Sequence, residues 1–163
     1  MKKLFAILAV MLVAMSASAQ FREGKGYLGA SLTGLNLNYN SKNGFNIGAE
    51  AKAGVFFADD WMLLGQAALK HNGSNDVSDE ISAGAGVRYY IEQNGLYLGL
   101  NAKFIHADRN YNDVMPGLEV GYAFFINRSV TIEPAVYYDH SFNNSDYSTV
   151  GFKIGLGVYL FDD

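Results

Sequence analysis

Val150-Gly151-Phe152-Lys153-Ile154-Gly155-Leu156-Gly157-Val158-Tyr159-Leu160 alternates without a break. Val150, Phe152, Ile154, Leu156, Val158 and Leu160 fall on one side, and Gly151, Lys153, Gly155, Gly157 and Tyr159 on the other. A period of two means a β-strand with one apolar face. The opposite face decides what kind of sheet it is. The wet face of a soluble protein carries roughly 25–35% charged residues, yet this one is mostly glycine. Glycine weakens a strand and gains nothing in water, but it fits where side chains from opposed walls crowd a narrow tube. The glycine side is therefore read as the inside and the apolar side as the outside.

The same alternation runs through most of the chain. In residues 45–57, Phe45, Ile47, Ala49, Ala51, Ala53, Val55 and Phe57 oppose Asn46, Gly48, Glu50, Lys52, Gly54 and Phe56. It returns as Ile81, Ala83, Ala85, Val87 and Tyr89 against Ser82, Gly84, Gly86, Arg88 and Tyr90, and as Leu96, Leu98, Leu100, Ala102 and Phe104 against Tyr97, Gly99, Asn101 and Lys103. Leu118, Val120, Tyr122 and Phe124 oppose Gly117, Glu119, Gly121 and Ala123; Val130, Ile132, Pro134, Val136 and Tyr138 oppose Thr131, Glu133, Ala135, Tyr137 and Asp139. Residues 27–39 slip phase by one near Gly34, which predicts a bulge. Residues 61–71 place Trp61, Leu63, Ala67 and Leu69 outward and Gln66 and Lys70 inward. That makes eight strands. Pro116 and Pro134 fall within strands of a sheet with no edge, so each predicts a bulge or a missing ladder bond.

A longer repeat organises these strands. Gly54, Gly86, Gly121 and Gly155 each precede aromatics and a polar turn, at spacings of 32, 35 and 34 residues. That is the length of two strands with their connections, a β-hairpin. Aromatics collected at one end of each unit predict a girdle at a bilayer interface, made of Phe56, Phe57, Trp61, Tyr89, Tyr90, Phe124, Phe125, Tyr159 and Phe161. Connections at residues 58–60, 93–95 and 127–129 are tight, whereas those at 40–44, 72–79, 107–113 and 141–149 are mostly longer and rich in Asn, Asp and Ser. Short turns at one end and long loops at the other is the asymmetry of an outer-membrane barrel with both termini in the periplasm.

Residues 1–19 combine Lys2 and Lys3, an apolar run and small residues at Ala17 and Ala19, the pattern of a cleaved secretory signal peptide. A membrane anchor is the competing reading, but the run is shorter than the roughly 20 residues that cross a bilayer. The barrel domain is then residues 20–163, with ten basic against sixteen acidic side chains. That balance gives no sign of nucleic-acid binding. The chain has no cysteine, which excludes disulfides, thiolate metal sites and a lipidated cysteine.

Charges of both signs share the glycine side: Glu50, Lys52, Arg88, Lys103, Glu119, Glu133 and Lys153. An isolated buried ion costs several kcal/mol, so these are expected to pair in an interior charge network. Eight strands enclose only enough space for side chains to fill, which favours a plugged interior over a conduit.

The chain resembles the small eight-stranded outer-membrane β-barrels, similar to outer membrane protein X and the membrane domain of outer membrane protein A, and the porin-like outer membrane protein beta-barrel domain family. The segment Pro116-Gly117-Leu118-Glu119-Val120-Gly121-Tyr122-Ala123-Phe124-Phe125 resembles the Pro-x-x-x-x-Gly-Tyr-x-Phe strand of that family, and residues 153–161 resemble the signal read by the barrel-insertion machinery. The resemblance implies an all-β, eight-stranded antiparallel up-and-down transmembrane β-barrel in the outer membrane of a Gram-negative envelope. Its implied partners are outer-membrane lipids, lipopolysaccharide and the insertion machinery.

His71, His106 and His140 lie on the outward side near the long loops. His140 with Ser141, Asp139 and Asp146 raises the possibility of a lipid A deacylase, but adjacent strand residues point to opposite faces, so base and hydroxyl do not meet. No metal-ligand spacing is present. The expectation is a monomer that is not an enzyme and needs no cofactor, with a structural or surface-interaction role. A narrow channel, a lipid A-modifying enzyme and a soluble lipocalin-like barrel are the alternatives.

Overall fold

The computed structural model describes residues 21–35, 46–72, 80–91, 94–107, 111–142 and 148–160. Residues 1–19, where the sequence predicts a signal peptide, lie outside the described residues, as do most of the long loops and Phe161.

The strands are β1 (Gly26–Leu35), β2 (Asn46–Ala58), β3 (Trp61–Asn72), β4 (Glu80–Tyr90), β5 (Leu96–Ala107), β6 (Tyr111–Tyr122), β7 (Phe124–Phe125), β8 (Val130–Asp139) and β9 (Thr149–Leu160). Sequence neighbours pair antiparallel from β1 through β6 and from β7 through β9, β6 pairs with β8, and β1 pairs with β9, so the sheet closes. The short β7 continues β6 in register against β8, which gives an eight-stranded up-and-down barrel. Closure is what allows a sheet to cross a bilayer, since every ladder group finds a partner.

The three irregularities read from the sequence, near Gly34, Pro134 and Pro116, differ in their structural outcome. The β1–β9 register shifts between Leu32 and Leu35, the bulge that the slip near Gly34 predicts. The β6–β8 ladder stops at Gly121–Ala135 and resumes at Phe124–Ile132, opposite Pro134, which has no N–H to donate. That missing bond separates β6 from β7. At Pro116 the β5–β6 register is unbroken, and the Pro116 carbonyl accepts from His140 N at 2.9 Å. Here the proline costs a ladder donor without bending the strand.

The tight turns are held by local chemistry. Asp60 takes a left-handed φ of 64° between β2 and β3. Gly95 does so at 91°, where Asn94 Oδ1 accepts from Leu96 N at 2.8 Å. Asn127 Oδ1 accepts from both Ser129 N and Val130 N, closing the turn before β8.

Burial follows the alternation. Leu63, Leu98, Leu100, Leu118, Val120, Val136, Ile154, Leu156 and Val158 are outward and exposed, and the buried side chains belong to the opposite phase. An exterior this apolar suits hydrocarbon and not water.

Candidate functional site

The barrel's interior is layered, and its layers follow from which inward positions carry long side chains. At the short-turn end lies an aromatic layer of Phe21, Phe56, Tyr90, Phe125 and Tyr159, all buried. Phe21 comes from the segment before β1 and is only 1% exposed. Its ring stacks on Tyr90 at 3.9 Å, and its carbonyl accepts from Asp60 N at 2.8 Å. Gly24 N then donates to the Phe56 carbonyl at 2.8 Å, so the segment entering β1 folds across the mouth and plugs it.

This layer corrects the expected girdle. Phe56, Tyr90 and Phe125 point into the barrel, because in each adjacent pair of aromatics the strand sends one ring to each face, and Tyr159 does so from the inward phase of β9. Phe57 and Trp61 are exposed on the outside, with rings 6.4 Å apart, and Trp61 meets Tyr89 at 4.7 Å. Phe124 joins the outer face beside Tyr122, at 4.3 Å. Among the described residues the interfacial girdle is thus about half as populated as the sequence implied, and Phe56, Tyr90, Phe125 and Tyr159 form a stopper instead.

Above the stopper sits an ionic layer. Inward positions of β2, β4, β6, β8 and β9 bring Glu50, Lys52, Arg88, Glu119, Glu133 and Lys153 together, all buried. Arg88 bridges two carboxylates, with Nη2 2.8 Å from Glu119 Oε1 and Nη1 2.9 Å from Glu133 Oε2. Glu119 also receives Lys52 at 3.2 Å and the Lys153 ammonium. Lys52 and Lys153 each lie 3.3 Å from Glu50 Oε1, which accepts a further bond from Ser31 Oγ at 3.1 Å. Glu133 is completed by the hydroxyls of Tyr27 at 2.8 Å, Thr131 at 2.9 Å and Tyr159 at 3.0 Å. Three carboxylates and three cations make the cluster neutral, which lets so many charges share a space with little water.

Lys103 stands apart from this cluster. It pairs with Asp139 at 2.6 Å, nearer the long loops, where Asp113 accepts from Ser141 Oγ at 2.5 Å. Sequence reasoning put Asp139 on the inward side without naming it as Lys103's partner, since alternation gives a face but not a height. It also missed Phe21, which lies in no strand, and Tyr27, Tyr97 and Thr131. The inward phase that marked Arg88 would have found the last three.

Glycines make room for these long side chains. A Cβ at Gly99 would stand 2.7 Å from the Glu119 side chain, and one at Gly157 would stand 2.6 Å from Thr131 Oγ1. Tyr97 lies over Gly121 and Tyr137 over Gly151 in the same way. The open space left beside Arg88 and Lys52 is a cavity of about 10 Å³ lined in part by Tyr27, Ser31, Glu133 and Lys153. That holds about one water.

The histidines do not join this layer. His106 is on the outside, with Nδ1 2.8 Å from Asn112 Oδ1. His140 Nδ1 lies 3.3 Å from both Tyr138 OH and Ser148 Oγ, while Ser141 turns inward to Asp113. The His71 side chain lies outside the described residues.

An apolar exterior around a closed, ion-filled interior is the arrangement of a small membrane barrel. The model of the family described as outer membrane protein beta-barrel domain matches residues 5–161. The chain belongs to that family. Among solved structures, this outer-membrane barrel is similar to the Yersinia pestis outer membrane protein Ail in a phospholipid nanodisc, with a TM-score of 0.59, 14% identity, and coverage of 85% of this chain and 100% of that one. It is similar to Neisserial surface protein A with a TM-score of 0.55, 14% identity, and coverage of 83% and 95%. A de novo designed transmembrane β-barrel matches with a TM-score of 0.56, 14% identity, and coverage of 87% and 100%. Comparison by sequence with characterised proteins gives no match. At such identities the likeness is one of fold, and it extends to a designed barrel that shares the backbone alone.

Proposed function

We propose that this outer-membrane barrel is a closed, non-conducting envelope protein with a structural or surface-contact role, rather than a channel or an enzyme. The observation that carries the reading is the double blockage of the lumen: a neutral cluster centred on Arg88 rests on an aromatic layer closed by Phe21. An ion crossing it would have to displace charges already paired within 2.8–3.3 Å. Stabilisation comes from closed pairing and a filled interior, and surface contact is left to the long loops.

In this reading a leader is removed after Ala19, the barrel-insertion machinery places a monomer in the outer membrane, and both termini face the periplasm. Outer-membrane lipids and lipopolysaccharide then surround the apolar belt. No reaction is assigned, because every carboxylate of the ionic cluster is held by cations and hydroxyls and none stands ready for acid–base work. The test is a planar-bilayer recording of the purified barrel. The expected trace is flat, and large stable conductance steps would overturn the proposal.

A further inference from the structure

Between the ionic layer and the long loops the lumen is filled unevenly. On β6, β8 and β9 the inward side chains of Asp113, Met115, Tyr137, Asp139 and Lys153 are buried. On β3, β4 and β5 the inward residues Gln66, Ala68, Ser82, Gly84, Asn101 and Lys103 are only half-buried. Their alternation with the exposed Leu69, Ile81 and Leu100 points them into the lumen, so it is from the lumen that water reaches them. Side-chain size explains the difference. Above Arg88, β4 offers only Gly86, Gly84 and Ser82, and β3 offers Ala68 beside Gln66. One wall of the tube is therefore thin, and the space against it is a cup floored by the ionic cluster.

The ladders set the cup's polar groups in two adjacent rows. Gln66 pairs with Gly84 and Gly84 with Lys103, while one row nearer the ionic layer Gly86 pairs with Asn101, Asn101 with Gly117 and Gly117 with Asp139. Gln66 Nε2, Asn101 Oδ1 and Asp139 Oδ1 are buried here without a hydrogen-bond partner. Buried polar atoms are seldom left so, and three of the five among the described residues fall in these two rows. The charges at this level cancel, because Lys103 Nζ holds Asp139 Oδ2 at 2.6 Å. What remains is two primary amides, each with donors and an acceptor, and the Ser82 hydroxyl. An ion would meet no unpaired counter-charge on these residues, whereas a molecule with neighbouring hydroxyls, each donating and accepting, matches the amides. The β3 and β5 backbones stand two strand spacings apart, about 10 Å, which leaves the width of one sugar ring between the two side chains.

We propose that this cup binds a neutral polyhydroxylated molecule of monosaccharide size, which enters from the long-loop end and is held between the Gln66 and Asn101 amides. Rotation about the last bond of each amide is soft, so either amide atom turns toward a hydroxyl. Asp139 Oδ1, beside Asn101 Oδ1 over Gly117, accepts a further hydroxyl. The site extends the surface-contact role and rests on the closed-lumen reading, because the ionic cluster is its floor.

Saturation-transfer NMR on the full barrel in nanodiscs reads the site, with methyl α-glucoside as the probe and glucosamine and gluconate as its cationic and anionic counterparts. Wild type is expected to transfer saturation to methyl α-glucoside above both charged probes. Gln66→Leu and Asn101→Leu each remove one amide at nearly constant volume and are expected to weaken binding about tenfold. Ala68→Phe fills the cup and is expected to abolish binding; if it does not fold, as heat-modifiable gel mobility reports, the two leucine variants decide the matter. Ala67→Leu, next in sequence but facing outward, is expected to bind as wild type does. No transfer from the folded wild type, equal transfer from wild type and both leucine variants, or preference for a charged probe would overturn the proposal. Absence of binding in a barrel whose bilayer trace is flat removes the cup alone, whereas conductance steps remove the closed-lumen reading and the floor with it.

Discussion

The guanidinium of Arg88 lies 3.9 Å from the centre of the Tyr97 ring, and it spans Glu119 and Glu133 at the same time. One planar group thus joins β4 to β5, β6 and β8 through the middle of the barrel. Lysine has neither the fork nor the flat face for this.

Arg88→Met is expected to be strongly destabilising, by about 3–5 kcal/mol, because it leaves two carboxylates without their shared cation. Arg88→Lys recovers only part of that loss. The double change Arg88→Met and Glu133→Gln is expected to cost less than Arg88→Met alone, since Glu50 and Glu119 are left balanced by Lys52 and Lys153. Urea unfolding in lipid vesicles, followed by tryptophan fluorescence from Trp61, measures all three.

Interior and exterior glycines are expected to respond oppositely to alanine. A Cβ at Gly84 would press on the Ala102 carbonyl and stand 3.0 Å from Lys103 Cα, backbone atoms that cannot step aside. Gly84→Ala is expected to cost about 1–3 kcal/mol. Gly65 faces lipid, and its nearest neighbour would be 4.0 Å away, so Gly65→Ala is expected to be neutral or to stabilise by about 0.5–1 kcal/mol. The same unfolding assay compares them.

A charge placed on the belt reports the solvent there. Leu100 is 63% exposed in the middle of β5. On a water-facing surface Leu100→Lys would be almost free of cost, whereas facing the bilayer's centre it is expected to cost about 2–4 kcal/mol. Refolding yield in vesicles, read by heat-modifiable gel mobility, separates the two outcomes.

The turn between β2 and β3 carries a pH dependence. Burial and the neighbouring Asp59 hold the Asp60 carboxyl above its ordinary range. The protonated form is thus favoured in the folded state, so its stabilising effect is complete below the ordinary aspartate value of about 3.9 and is lost as pH rises. Asp60→Asn keeps the left-handed turn that asparagine also accepts. It is expected to be more stable than wild type at neutral pH, with the advantage vanishing in acid. Unfolding midpoints across that pH range check the sign.

Alternation made the barrel legible before any coordinates. It gave the strands, the inward set from Glu50 to Lys153 and even the phase slip near Gly34, because a period of two maps directly onto two faces. It carried no information about height along the tube. Lys103 was therefore grouped with the glutamates, although it meets Asp139 a layer away. The aromatics misled for a related reason: their shared position along the repeat was visible, and the sidedness that turns Phe56, Tyr90, Phe125 and Tyr159 inward was given less weight than that level. Phe21 was invisible because its role depends on the path of a segment outside the strands, pinned by Asp60 N.

The central claim is a closed barrel with lipid outside and paired ions within. Spin labels placed singly along β9, from Val150 to Leu160, test it in one series of measurements of collision with oxygen and with a water-soluble nickel chelate. The even positions, including Ile154, Leu156 and Val158, are predicted to collide strongly with oxygen, and Lys153, Gly155 and Gly157 with neither reagent. Nickel access at Lys153, Gly155 and Gly157 would mean an open aqueous lumen, and nickel access at Ile154 and Leu156 would mean that the apolar face does not lie in a membrane.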